Sequence, residues 1–174
     1  MFIEETGRHL AVGSREDALR LVKMDSQFWN IISIHGSRIP KAVLTGAKAT
    51  LYAVFDDVET LDVDGAKVGA NTLKQIFDFA DSTHPGALLV HCQMGLSRST
   101  AICYAIIARQ LQKNGVLNFM ERAVDILIKL RPQANPNLLV LMRALEIILP
   151  KAQAHLQSKR VQMDPRFQRN LVQD

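Results

Sequence analysis

Cysteine is scarce in this chain of 174 residues: there are two, Cys92 and Cys103, too few for the disulfide framework that staples small secreted domains. A reducing, cytoplasmic setting is the expectation. The opening Met-Phe-Ile-Glu-Glu-Thr has no basic region leading into an apolar stretch, so it does not read as a secretion signal. Long hydrophobic runs are lacking as well. Apolar runs such as residues 87–90 and 147–150 fall far short of the roughly 20 residues that span a bilayer, and no membrane span is expected. His9, His35, His84 and His155 show no His-x-x-x-His spacing, which leaves no reason to expect zinc or any other metal. A Gly-x-x-x-x-Gly-Lys-Ser/Thr loop for nucleoside triphosphates is missing too, so no cofactor is expected. Charge of one sign is missing from the body: the chain carries +4, but five of its bases and only two of its acids fall in residues 151–174. Residues 1–150 are left with a net charge of +1, which argues against nucleic acid as a partner, because few clustered cations are there to displace counterions.

What is present is enough apolar sequence, 48% of the residues, for one globular domain with a core. Strand and helix patterns alternate along it. Residues 14–22 read as a helix with Ser14 as N-cap and acids in the first turn. Residues 28–35, including Phe28 and Trp29, read as a strand, and residues 51–55 as a second one that ends in the acidic cluster Asp56, Asp57 and Glu59. Asp62 and Asp64 read as turn acids. Leu73, Ile76, Phe77 and Ala80 share one face of a helix over residues 69–82. Residues 87–91, Ala-Leu-Leu-Val-His, are apolar on both faces, as in the central strand of a parallel sheet between helix layers. The helix expected at residues 99–112 is apolar nearly all round and therefore buried. Helical stripes follow at residues 117–130 and 137–149, parted by the bend Arg131-Pro132-Gln133-Ala134-Asn135-Pro136. The predicted class is α/β, a mainly parallel central sheet flanked by helices. Residues 1–150 form the domain, and residues 151–174 are a polar, basic C-terminal helix extension or tail, loosely held.

The chemistry concentrates between that central strand and the buried helix, in His91-Cys92-Gln93-Met94-Gly95-Leu96-Ser97-Arg98-Ser99. A loop that leaves the carboxyl end of a parallel strand and runs into a helix N-terminus offers unpaired N–H groups and the positive end of the helix dipole to an anion. Gly95 permits a positive φ, so successive amides can turn inward as a nest. Residues 93–98 (Gln93, Met94, Gly95, Leu96, Ser97 and Arg98) can curl around one tetrahedral group, with the Arg98 fork binding two oxygens at once. Cys92 lies beneath the anion, where the same field favours its nucleophilic thiolate form. His91 supports the loop through hydrogen bonds. Cys103, farther along the helix, reads as core packing.

His91-Cys92, five residues, then Arg98-Ser99 resembles the signature loop of the cysteine-dependent protein tyrosine phosphatases, above all their compact dual-specificity and bacterial forms. The resemblance extends to the strand before the loop, the helix after it and the downstream Asn135-Pro136-Asn137-Leu138 turn, and so covers residues 1–150. It implies Cys92 as nucleophile, Arg98 as the phosphoryl clamp and Ser99 as the hydroxyl that helps the thiolate leave. It also implies a carboxylic acid on an earlier loop to protonate the leaving group. Asp56 and Asp57 are the candidates, and Phe55-Asp56-Asp57-Val58 is similar to the small bacterial forms in a way that favours Asp57. Asn135 and Asn137 are either turn and cap residues or groups that place the hydrolytic water. The implied activity is phosphate monoester hydrolysis on a phosphorylated protein or peptide, with a phosphoinositide as a further substrate class. The rival expectations are a catalytically weak phosphoresidue-binding module and another Cys-x5-Arg enzyme, a sulfurtransferase or an arsenate reductase.

Overall fold

The computed structural model describes residues 1–60 and 64–168, and for Gln168 the backbone alone. Asp62 and residues 169–174 of the tail therefore lie outside the described residues. Five strands form one sheet in the order β1-β2-β5-β3-β4: β1 (Phe2–Ile3), β2 (Arg8–Gly13), β3 (Asn30–His35), β4 (Ala49–Val54) and β5 (Leu88–His91). β2, β5, β3 and β4 run parallel, and only β1 is antiparallel to its neighbour. The α/β class and the mainly parallel sheet expected from the sequence are thus observed. β5 is central and buried along its whole length, which is why its residues are apolar on both faces.

Helices cover the two faces unequally. α1 (Arg15–Met24) lies on one face, over a smaller cluster that contains Ala18, Val22, Trp29, Ile31 and Leu89. Ser14 caps it as expected: its Oγ accepts from the Asp17 N–H at 3.1 Å, while its own N–H donates to the Asp17 carboxylate at 3.0 Å, a reciprocal capping box. The other face carries α2 (Ala70–Ser82), α3 (Arg98–Lys113), α4 (Phe119–Leu130), α5 (Leu138–Leu145), α6 (Lys151–Gln162) and the short α7 (Pro165–Gln168). Their apolar stripes meet Leu88, Val90, Ile32 and Ile34 in the main core. α3 is buried nearly all round, as its composition predicts.

Three local differences from the sequence reading have physical causes. β2 went unrecognised because a cation sits at a core-facing position: Arg8 is 3% exposed. Its Nε and Nη1 donate to the carbonyls of Gly86 at 2.8 Å and Ala80 at 2.9 Å, the latter at the C-terminal end of α2. Phe28 and Trp29 precede β3 instead of belonging to it, and stack edge-to-face at 5.0 Å, with Phe28 stacking on His9 at 5.4 Å. The polar segment after Pro150 docks through Ala154, Val161 and Phe167, which are buried in the main core. Among the described residues no helix is long and apolar enough to cross a membrane.

Candidate active site

β5 ends at His91 and α3 begins at Arg98, so the six residues between form a loop whose N–H groups face one centre when its carbonyls are turned outward. The carbonyls are held outward by named donors. The Arg15 N–H donates to Gln93 O at 3.2 Å and the Asn135 N–H to Leu96 O at 2.8 Å. Arg131 Nη2 donates to Met94 O at 3.3 Å, and Thr100 Oγ1 to Leu96 O at 2.5 Å and Ser97 O at 2.8 Å. With these acceptors occupied and the Gly95 N–H on Cys92 Sγ at 3.3 Å, the loop and the α3 N-terminus have the make-up of an anion nest. Gly95 has φ +72, and a Cβ there would stand 2.3 Å from the carbonyl carbon of Gly13. Only glycine satisfies both that left-handed backbone and that close approach.

Cys92 lies on the floor, 2% exposed. Its Sγ is 3.2 Å from Ser99 Oγ and accepts the Gly95 N–H at 3.3 Å, two contacts suited to stabilising a thiolate. Arg98 is 5% exposed and is anchored by Nη1, which donates to Phe55 O at 2.9 Å. Its Nε has no hydrogen-bond partner and stands 3.6 Å from Asp57 Oδ2. His91 Nδ1 is 3.3 Å from Cys92 O. Burial pushes the His91 imidazole down to about 4, so the ring is neutral near pH 7 and serves as a hydrogen-bonding support.

The two neighbouring carboxylates have separate environments. Asp56 is turned away from the nest: Oδ1 accepts the Ser37 N–H, and Oδ2 accepts Ser37 Oγ–H and the Ala66 N–H, each at 2.8 Å. Those bonds, Ala66 first, hold its carboxyl below the usual carboxylate range. Asp57 faces the nest, where Oδ1 accepts from Ser97 Oγ at 2.5 Å and Asn137 Nδ2 at 2.9 Å. Asn137 is fully buried and uses every side-chain polar group. Its Nδ2 also donates to Val58 O at 3.1 Å, and its Oδ1 accepts the Val140 N–H at 3.0 Å, capping α5. The site thus brings together Cys92, residues 93–98, Ser99, His91, Asp57 and Asn137, and leaves Asp56 outside.

Thr100, Arg131 and the backbone of Arg15, which hold the loop from behind, were not singled out by sequence reasoning, and Asn135, read there as a turn residue or a water-placing group, meets the loop through its N–H on Leu96 O. Arg131 stood there only as the start of a bend. Cys103 is buried on α3, and burial pushes its thiol up to about 12. No group of three or more histidines, cysteines or carboxylates among the described residues could hold a metal ion.

No protein-family model matches the sequence, and no curated protein does. Solved structures do match. The human tyrosine phosphatase-like serine/threonine/tyrosine-interacting protein superposes with a TM-score of 0.60 at 20% identity, over 80% of this chain and 90% of that one. A mouse putative dual specificity phosphatase complexed with zinc tungstate gives 0.57 at 23% identity, over 87% and 86%. Human DUSP28 gives 0.56 at 21% identity, over 79% and 86%. The chain has the protein tyrosine phosphatase fold. Within the phosphatase fold, neighbours include proteins named as phosphatases and one named phosphatase-like, so turnover has to be argued from the residues of this chain.

Proposed function

We propose that the protein is a phosphate monoester hydrolase of the tyrosine or dual-specificity type, working in two displacements through a phosphocysteine. The observation that carries this reading is the pairing of Cys92 Sγ, beneath an inward-facing nest, with Asp57 at the nest's rim beside Arg98. In the first displacement the Cys92 thiolate attacks phosphorus and the bond to the ester oxygen breaks, while Asp57 gives that oxygen a proton. The loop amides and Arg98 stabilise the equatorial phosphoryl oxygens. In the second, water attacks phosphorus, the Asp57 carboxylate takes its proton, and Ser99 Oγ–H steadies the departing sulfur. Neither step requires a cofactor.

A phosphorylated protein or peptide is the proposed substrate, phosphotyrosine foremost. Residues 93–97 carry no lysine, which weighs against a phosphoinositide headgroup with several phosphates. Residues 1–150 supply all of the chemistry in this reading, and the two free, buried cysteines suit a reducing, cytoplasmic setting. The competing phosphoresidue-binding module would keep the nest and lack turnover.

Cys92→Ser is the test, measured on phosphotyrosine, phosphothreonine and phosphoinositide substrates. Tungstate, a tetrahedral oxyanion bound in the mouse neighbour's structure, serves as the binding probe. The expected result is hydrolysis of phosphotyrosine peptide by the wild type, lowered at least about 10^4-fold in the variant, with tungstate binding retained. Wild-type hydrolysis by Cys92→Ser removes the mechanism. Binding without turnover by the wild type favours the binding module.

A further inference from the structure

Ser33 and His91 are register partners in the parallel pair β3 and β5, so their side chains stand side by side on the face covered by α1. Both are buried, at 1% and 2% exposure. The His91 ring is neutral near pH 7 and therefore has one N–H. Its Nδ1 faces a carbonyl, Cys92 O at 3.3 Å, which only an N–H can satisfy, so the proton sits on Nδ1 and Nε2 is an acceptor. That Nε2 has no hydrogen-bond partner in the protein, and neither has Ser33 Oγ. Two buried polar atoms on adjacent strands left in this condition need an explanation. They share one: both residues line a cavity of about 10 Å³ together with Arg15, His35 and Cys92, the room that one water molecule requires. Of the other groups around it, Arg15 Nη1 donates to Pro40 O at 2.9 Å and His35 Nδ1 is 3.2 Å from Gly36 O.

We propose that this cavity is a site for one internal water, which accepts from Ser33 Oγ–H and donates to His91 Nε2, and that Ser33 is thereby a positioning residue for the signature loop. The chain of bonds runs from Ser33 through the water to the His91 ring, and from Nδ1–H to the carbonyl of Cys92. That carbonyl shares its peptide unit with the N–H of Gln93, the first amide of the nest. Polarising one end of the unit strengthens the other as a donor. The water site rests on the two unpartnered atoms and the cavity they share, and its effect on anion binding rests on the function proposed above.

A high-resolution crystal structure of the full chain is expected to have one ordered water within hydrogen-bond distance of both Ser33 Oγ and His91 Nε2. An empty cavity, or a direct Ser33–His91 bond, overturns the site. Nitrogen-15 spectra of the His91 ring are expected to report a protonated Nδ1 and a bare Nε2 from pH 6 to 8; a proton on Nε2 overturns it as well. In Ser33→Ala, tungstate affinity and the rate of Cys92 alkylation by iodoacetamide are expected to fall several-fold with the melting temperature nearly kept, and Ser33→Thr is expected to restore both. Unchanged affinity and alkylation in a folded Ser33→Ala remove the positioning role. Because none of these readouts needs turnover, a protein that binds tungstate but hydrolyses nothing sinks the proposed activity and leaves this inference standing.

Discussion

The signature loop and the acid loop meet at Asp57, and they differ in which of their groups are held. Residues 92–98 are clamped through their backbone: four successive-turn carbonyls, those of Gln93, Met94, Leu96 and Ser97, each have a donor behind them. In the described residues 55–60 and 64–68 the two acids are themselves the held groups, Asp56 by Ser37 and Ala66 and Asp57 by Ser97 and Asn137, beside main-chain bonds from the Asp56 N–H to Ala66 O and from Arg143 Nη1 to Val68 O, both at 2.7 Å. Backbone clamping fits a part that must present the same donors to any phosphoryl group. Side-chain tethering suits the acid proposed above, because Ser97 and Asn137 orient the Asp57 carboxylate toward the nest.

The sharpest way to break this comparison is Gly95→Ala. With φ +72 and a Cβ contact of 2.3 Å, the substitution is expected to cost about 3 kcal/mol of stability and to abolish both tungstate binding and turnover, read by calorimetry and a phosphatase assay. Tungstate binding at wild-type strength would show that the backbone nest is not the anion site. Next comes Asp57→Asn, with a loss of about 10^2- to 10^4-fold on phenyl phosphate and little on an aryl phosphate with an activated leaving group. Asp56→Asn is expected to lower both substrates alike and modestly, through a loosened loop. If the two variants exchange these signatures, the acid has been assigned to the wrong carboxylate.

A smaller effect is expected for Asn137→Ala, about tenfold and again confined to the poor leaving group, since the amide orients Asp57 without touching the nucleophile. Equal losses on both substrates would make Asn137 a helix cap alone. Smallest is the pH effect on stability. Bonding to Ala66 and Ser37 lowers Asp56, and bonding to Ser14 lowers Asp17, the partner of Arg131 at 3.3 Å. A lowered folded-state value means the stability is fully present above the unfolded value near 3.8 and is lost as pH falls through the folded values. Melting temperatures between pH 5 and 2 are expected to fall less steeply in Asp56→Asn than in the wild type.

The same contrast explains what could be read from sequence. The signature loop is legible because its determinants are local: a strand, nine residues with a glycine and an arginine in register, and a helix. Ser14 and its capping box are local too. Asn137 reaches Asp57 across 80 positions and Ser97 reaches it across 40, and no periodicity encodes such contacts. Asp56 and Asp57 differ only in which way each points, a fact of the loop's path through Ser37 and Ala66. β2 was hidden by Arg8, whose charge is satisfied by carbonyls more than 70 positions away.

The start of α1 does two jobs at once. Gly13 and Ser14 back Gly95, and the Arg15 amide holds the Gln93 carbonyl, yet among the described residues α1 is the one helix on its face and sits on the smaller apolar cluster. Local opening of that helix removes a wall of the nest while the sheet and the larger helical layer stay folded. Heat inactivation is therefore expected to run ahead of the loss of secondary structure, with added phosphate narrowing the gap by mass action on the closed form.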